Sequence, residues 1–347
     1  MTNRKPAILS ITIIFLCLTH LGLPDQAAKP SLNPDGIQKA LEYSKNLNGL
    51  SLVMMQNGKI IFEDYHNGFT KDDAHLLASA TKSFSGAILA AMTEDKLVSS
   101  FDEKVSQTIT EWAVDPLKSQ ITLRELLNLT SGLDPGPIGR ILGYVQALES
   151  KAIFKPGTVF QYGPAPYQIF GEVVKRKVSG ETPLEYLTRR IFKPISLVPT
   201  GWRYGQDNNP GLATGANMKA TEWIKFGEFI RDRGSWEGRQ IIKADLIDEL
   251  LKPSAVNPAY GIGFWLEANP DIDVEESGRI IKNEQAAVEK DRNKTKSPFK
   301  IIMSAGAGKQ RLYIIDSLNL VIVRQGKASA FSDAEFLTRL LSPPGKE

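Results

Sequence analysis

The sequence predicts an α+β protein in which one antiparallel sheet, assembled from both ends of the chain, is flanked by helices and carries an inserted helical subdomain. Three observations carry this. A strand-like pair, "LSLVMMQNGKIIFEDYH", lies near the start. Further strand-like runs, "AYGIGFWLE", "FKIIMSAGA", "QRLYIIDS" and "LNLVIVRQG", fill the last third. Between them the pattern is mostly helical, and a chain of 347 residues with 42% hydrophobic and 23% charged residues can bury a sizeable core.

Taken in order, Arg4 and Lys5 precede the apolar run Pro6 to Leu18, and small residues Ala27 and Ala28 follow a polar break. Residues 1–28 therefore read as an export signal cleaved near Ala27 or Ala28, or as a membrane anchor if uncleaved. Export would place the protein in a bacterial periplasm or outside the cell. Gly36 to Leu47 has helical periodicity, and Asn57-Gly58 between the first two strands is a type I′ hairpin signal. A helix rich in small residues is expected from Ser79 to Leu97. Helical patterns follow in "SSFDEKVSQTI", "ITLRELLNLTSGL", "IGRILGYVQALES", "APYQIFGEVVKRKVSG", "TPLEYLTRRIFKPI", "KATEWIKFGEFIRDRG" and "KADLIDELLK". "SDAEFLTRLLS" closes the chain as a helix. Residues 36–341 thus read as a single domain, with a helical subdomain over about 98–255 and a charged surface insertion over about 268–299.

Composition removes several chemistries. The 42 basic and 39 acidic residues are interspersed, so no basic face is offered to nucleic acid. Cys17 is the only cysteine and lies in the leader, where the preceding Leu16 does not suit lipidation. A mature chain without thiols has no disulfide, cysteine nucleophile or thiolate metal site. Of the three histidines, His20 is in the leader, leaving His66 and His75, too few to expect a zinc enzyme. A Ser-His-Asp triad would have to use one of these two. "AGAGKQ" lacks the residues a phosphate loop requires, "YGIGF" is not a dinucleotide fingerprint, and no GxSxG elbow exists. A hydrolase built on this chain takes its base from lysine or tyrosine.

Ser79-Ala80-Thr81-Lys82 supplies such a pair. Residues i and i+3 share a helix face, so the Ser79 hydroxyl and the Lys82 ammonium can meet. A helix N-terminus and partial burial both disfavour charge on Lys82, pushing it toward base competence. The alternative is structural: Ser79 as an N-cap and Lys82 extended to solvent. A second match to the same spacing, Ser297-Pro298-Phe299-Lys300, lies in the charged insertion and shows how often the spacing arises by chance. On the residues alone, both readings of Ser79 stand.

Six stretches in order decide between them: "ASATKSFSGAILAAM", "ITLRELLNLTSGL", "KPGTVFQYGPAPYQIFGEVV", "EYLTRRIFKPI", "YGIGFWL" and "AGAGKQRLYIIDSLNLVIV". From about Gly36 to Gly326 the chain resembles the serine beta-lactamase and penicillin-binding-protein superfamily. The likeness is to the branch with class C beta-lactamases, D-alanyl-D-alanine carboxypeptidases, family VIII-type esterases and 6-aminohexanoate-dimer hydrolases. The resemblance implies a beta-lactamase-like fold, with Ser79 as acylated nucleophile and Lys82 as its proton partner. Tyr162 is then the tyrosine of the YxN element, a proton shuttle whose pKa cationic neighbours depress. Tyr162-Gly163-Pro164 departs from YxN, because Pro164 has no side-chain amide for substrate. The KTG or HxG element falls at Ser304-Ala305-Gly306, without its cation. There Ser304 could donate a hydrogen bond to substrate and Gly306 would let substrate backbone approach. The N–H groups of Ser79 and Ala307 would form the oxyanion hole. Lys309 could reach back as a substitute cation, but a solvated loop lysine is the expectation. Trp202, Tyr204, Trp265 and Tyr167 are expected in the core, with one or two at the acyl pocket. The implied protein is an exported serine hydrolase acting through an acyl-enzyme on a small ester, amide or peptide-like substrate, without cofactor or metal. A beta-lactamase or DD-peptidase is the enzymatic alternative, and a penicillin-binding sensor that does not turn over is the non-enzymatic one.

Overall fold

The computed structural model describes Met1, residues 32–266 and residues 299–341. The leader after Met1 and nearly all of the charged insertion lie outside the described residues.

Helix α1 (Pro34–Asn46) starts where the Asn33 side chain accepts from Gly36 N, with proline in its first turn. Strands β1 (Gly49–Gln56) and β2 (Lys59–Tyr65) form the expected hairpin. Asn57 and Gly58 have φ of 51° and 74°, the two positive values a type I′ turn needs. From the other end of the chain come β9 (Ile302–Gly306), β10 (Gln310–Ile315) and β11 (Leu320–Gly326). With β8 (Trp265–Leu266) they make a six-stranded antiparallel sheet of order β2-β1-β11-β10-β9-β8. The two chain ends meet where β1 pairs with β11, Val53 opposite Val323.

Every residue of β9, β10 and β11 is buried, which requires cover on both faces. Helix α1 and the closing helix α9 (Asp333–Leu341) pack together on one side. On the other lie α7 (Ala220–Arg231) and, beside β9, the turn that leads into α2 (Lys82–Glu94). From Lys82 to Met92 no residue of α2 is exposed, so this helix is the central one expected. Phe84 anchors it, edge-on to Phe192 at 5.2 Å and against Phe226 at 4.5 Å. Such ring pairs contribute about 0.5–1.5 kcal/mol each beyond their area.

The middle of the chain is more broken than its periodicity suggested. It holds α3 (Leu123–Leu127), α4 (Tyr144–Leu148), α5 (Ala165–Lys177), α6 (Pro183–Leu187) and α8 (Ala244–Leu250), with the strand pair β6 (Ser235–Trp236) and β7 (Arg239–Gln240) before α8. "SSFDEKVSQTI" forms a single 3-10 turn, Val105–Gln107, instead of a helix. In "IGRILGYVQALES" only α4 is helical, because Gly139 takes φ of 84° and Gly143 is extended. Among the described residues of "AYGIGFWLE", Trp265 and Leu266 form β8, and Gly263 turns the backbone at φ of 77°. A small sheet not anticipated joins β3 (His75–Leu76), β5 (Ala216–Met218) and β4 (Gly201–Trp202) in that order, and it holds the chain just before Ser79.

Candidate active site

Ser79 sits in a 3-10 turn, Ala78–Thr81, that runs directly into α2. The turn is held from several sides. Leu77 N donates to Ala216 O at 2.9 Å, and Ala216 N donates back to Thr81 Oγ1 at 3.2 Å. Thr81 Oγ1 closes the turn onto Ala78 O at 2.7 Å. Ala78 has a positive φ of 49°, which costs a non-glycine residue on the order of 1–3 kcal/mol and persists only where the surroundings enforce it. Neither the turn nor α2 carries a side-chain cap, so Ser79 is not a capping serine. Its side chain is half-buried and open to a cavity.

Lys82 is 3% exposed and does not reach solvent. Its Nζ donates to Ser79 Oγ at 3.2 Å and to Ala213 O at 3.1 Å. It also lies over the rings of Tyr162 at 4.9 Å and Tyr167 at 5.4 Å. No carboxylate among the described residues balances the ammonium, so burial alone lowers its pKa from 10.5 to about 7. A lysine so placed is neutral in a large fraction of molecules near neutral pH and can accept a proton from the hydroxyl beside it.

Tyr162 stacks on Trp265 at 6.0 Å and meets Tyr260 edge-on at 6.3 Å. Burial drives its phenol up to about 12, against the opposing pull of the Ser79 hydroxyl and the Arg311 charge. This corrects the expectation of a depressed pKa: Tyr162 is a protonated donor throughout the neutral range, and the titrating group is Lys82.

The cavity over Ser79 has a volume of about 210 Å³. Lys82, Tyr162, Pro164, Arg203, Thr214 and Ala307 are in its walls, with Ile138 at the rim. A larger crevice of about 340 Å³ at the tip of the β1–β2 hairpin contains no nucleophile paired with a base; its Glu228 and Arg231 pair with each other at 2.7 Å.

Of the residues singled out in the sequence, Ser79, Lys82, Tyr162 and Ala307 converge on this cavity. Ser304 does not. It is fully buried, and its hydroxyl is spent on Ala80 O at 3.0 Å and Ser83 Oγ at 3.1 Å, pinning β9 to the nucleophile turn. Gly306 likewise faces the turn, not substrate: a Cβ there would lie 2.0 Å from Leu77 O and 3.1 Å from Ala80 N. Lys309 is buried, contrary to the expected solvated lysine, and lies outside the cavity walls, as do both described histidines. Trp265 and Tyr167 support Tyr162 and Lys82 from below, while Trp202 and Tyr204 stand outside the lining. Arg203, Thr214 and Ile138 had no sequence signal, since each sits in a loop or short strand where no spacing marks it.

Comparison with known proteins bears on the family and the fold. The family model described as Beta-lactamase matches residues 19–261. The chain is 31% identical over 157 residues to the lovastatin esterase of Penicillium rubens, covering 36% of this chain and 39% of that protein. The chain thus spans less than half the length of the curated relatives it matches. Among solved structures, the class C beta lactamase from Rhodobacter sphaeroides superposes with a TM-score of 0.64 at 14% identity, over 89% of this chain and 99% of that one. EstCE1, a hydrolase with promiscuous acyltransferase activity, gives 0.64 at 14% identity over 85% and 94%. At such identities the superpositions establish a shared fold. Together with a family match over most of its length, they show that the chain belongs to the beta-lactamase family and has the beta-lactamase-like α+β fold.

Proposed function

We propose that the protein is an exported serine hydrolase that cleaves small esters or amides through an acyl-enzyme on Ser79. The observation that carries this is the 3.2 Å contact between Lys82 Nζ and Ser79 Oγ, in a site where burial holds the lysine near pKa 7. Neutral Lys82 takes the hydroxyl proton as Ser79 Oγ attacks the substrate carbonyl carbon. The tetrahedral oxyanion is stabilised by the N–H groups of Ser79 and Ala307. Tyr162 passes its phenolic proton to the departing oxygen or nitrogen and is reprotonated from the Lys82 ammonium. Water then adds to the Ser79 ester as Lys82, neutral again, takes its proton, and that proton returns to Ser79 Oγ as the acid leaves. The sequence balances with the chain's own groups and needs no cofactor or metal. The leader of residues 1–28 supports export to a periplasm or beyond the cell.

Two features favour a small ester over a beta-lactam. Pro164 lines the cavity without a side-chain donor for a substrate amide, and Ser304 is buried with its hydroxyl committed. Short p-nitrophenyl esters are therefore expected to turn over at least tenfold faster than a chromogenic cephalosporin, read as kcat/KM on the same enzyme. The reverse ranking would make it a beta-lactamase or DD-peptidase. Stoichiometric acylation by labelled penicillin that persists for hours, without ester turnover, would make it a sensor.

A further inference from the structure

A peptide N–H is aimed by its own carbonyl, because the unit is planar and here trans. The proposed oxyanion donor Ala307 N belongs to the peptide whose carbonyl is Gly306 O. That carbonyl accepts from Arg311 Nη1 at 3.1 Å. The same Nη1 donates to Gln310 O at 3.0 Å, and Gln310 is the residue opposite Gly306 in the β9–β10 register. Gly306 C=O thus lies on the β10 side and Ala307 N–H on the opposite side of the peptide, and Ala307 lines the same cavity as Ser79. Arg311 is fully buried, and its Nε donates to Asp333 Oδ1 of α9 at 2.8 Å. Tyr313 OH donates to the same carboxylate oxygen.

We propose that Arg311 is a positioning residue for the oxyanion hole. Anchored by Asp333, its guanidinium fixes and polarises the Gly306–Ala307 peptide so that Ala307 N–H meets the developing oxyanion. A cation bonded to a peptide carbonyl strengthens the donor at the other end of that unit, since hydrogen-bonded dipoles polarise one another. The burial that makes an arginine costly also makes its field strong. Arg324 provides an internal contrast: it is equally buried but bonds Lys309 O at 2.8 Å, a carbonyl of the same turn that belongs to a different peptide. This inference rests on the serine hydrolase reading.

The test compares an oxygen ester with its thionoester, whose sulfur is held poorly by an oxyanion hole, and adds the affinity of an alkylboronic acid that forms a tetrahedral adduct on Ser79. In Arg311→Met paired with Asp333→Asn, which leaves no unpaired buried carboxylate, the oxygen ester is expected to lose about 10- to 100-fold in kcat/KM. The thionoester loses far less, so the ratio of the two falls at least fivefold, and boronate affinity falls in step. Arg311→Lys gives an intermediate ratio, whereas Arg324→Met lowers thermal stability with the ratio unchanged. An unchanged ratio in a folded Arg311 variant overturns the proposal. If the double variant does not fold, Asp333→Asn alone, which loosens the guanidinium, must lower the ratio, and an unchanged value there overturns it equally. A parent protein that takes up no boronate overturns the serine reading itself and this inference with it.

Discussion

Lys82→Met is expected to lower kcat/KM for an activated ester by about 10²- to 10⁴-fold, the range that a positioned general base supplies, while making the fold more stable. The base must be neutral to accept the Ser79 proton. Parent kcat/KM therefore rises with pH through about 7, where Lys82 loses its charge, and then levels. Tyr162, raised to about 12, adds no descending limb below pH 11. The Met variant loses the limb at 7 altogether. Stability moves the other way. With the folded value lowered from 10.5 to about 7, the unfolded chain holds the extra proton between those two pH values. Stability from this group is lowest below pH 7 and recovers as pH rises toward 10.5. At about 1.4 kcal/mol per unit, the cost of burying the ammonium is on the order of 3–5 kcal/mol. Methionine removes that cost, so the gain in unfolding temperature should be large at pH 6 and small at pH 10. Thermal unfolding across that range checks it; an unchanged or lowered midpoint at pH 6 would mean that the lysine is not held uncompensated.

Gly306→Ala is the second large effect. An added Cβ would sit 2.0 Å from Leu77 O, a backbone atom that cannot swing aside. Either β9 or the nucleophile turn must move, at a cost of about 1–3 kcal/mol. Because a displacement near 1 Å in a reacting geometry costs about 10²-fold, kcat/KM should fall by roughly that factor. Gly201→Ala is the control, since nothing lies within 4 Å of its added Cβ. Full activity in Gly306→Ala would show that the strand and the turn are not in register through this contact.

These two residues also show how far the sequence could be read. The spacing of Ser79 and Lys82 is local, so helical geometry alone brings the pair together, and the 3.2 Å contact follows. Asn57-Gly58 is local as well, and its turn forms as expected. The sheet was legible because β1, β10 and β11 each carry a run of four apolar residues, Leu52–Met55, Leu312–Ile315 and Leu320–Val323, buried on both faces. What failed is long-range. Alternation along a strand gives two faces but not which one meets the nucleophile, so the sequence offers Ser304 to substrate whereas the fold bonds it to Ala80 O and Ser83 Oγ. A short motif such as Ser304-Ala305-Gly306 also cannot reveal that an arginine five residues beyond Gly306 bonds its carbonyl. The direction of the Tyr162 shift needed the burial of its phenol, which no spacing reports. Glycines that invite extended strand patterns, Gly263 above all, instead turn the chain at positive φ.

The central claim is that Ser79 is an activated nucleophile. Intact-protein mass after exposure to a fluorophosphonate, run on the parent and on Ser79→Ala, tests it most directly. One probe mass on the parent and none on the variant is the predicted result. An unlabelled parent, or equal labelling of both proteins, would contradict it.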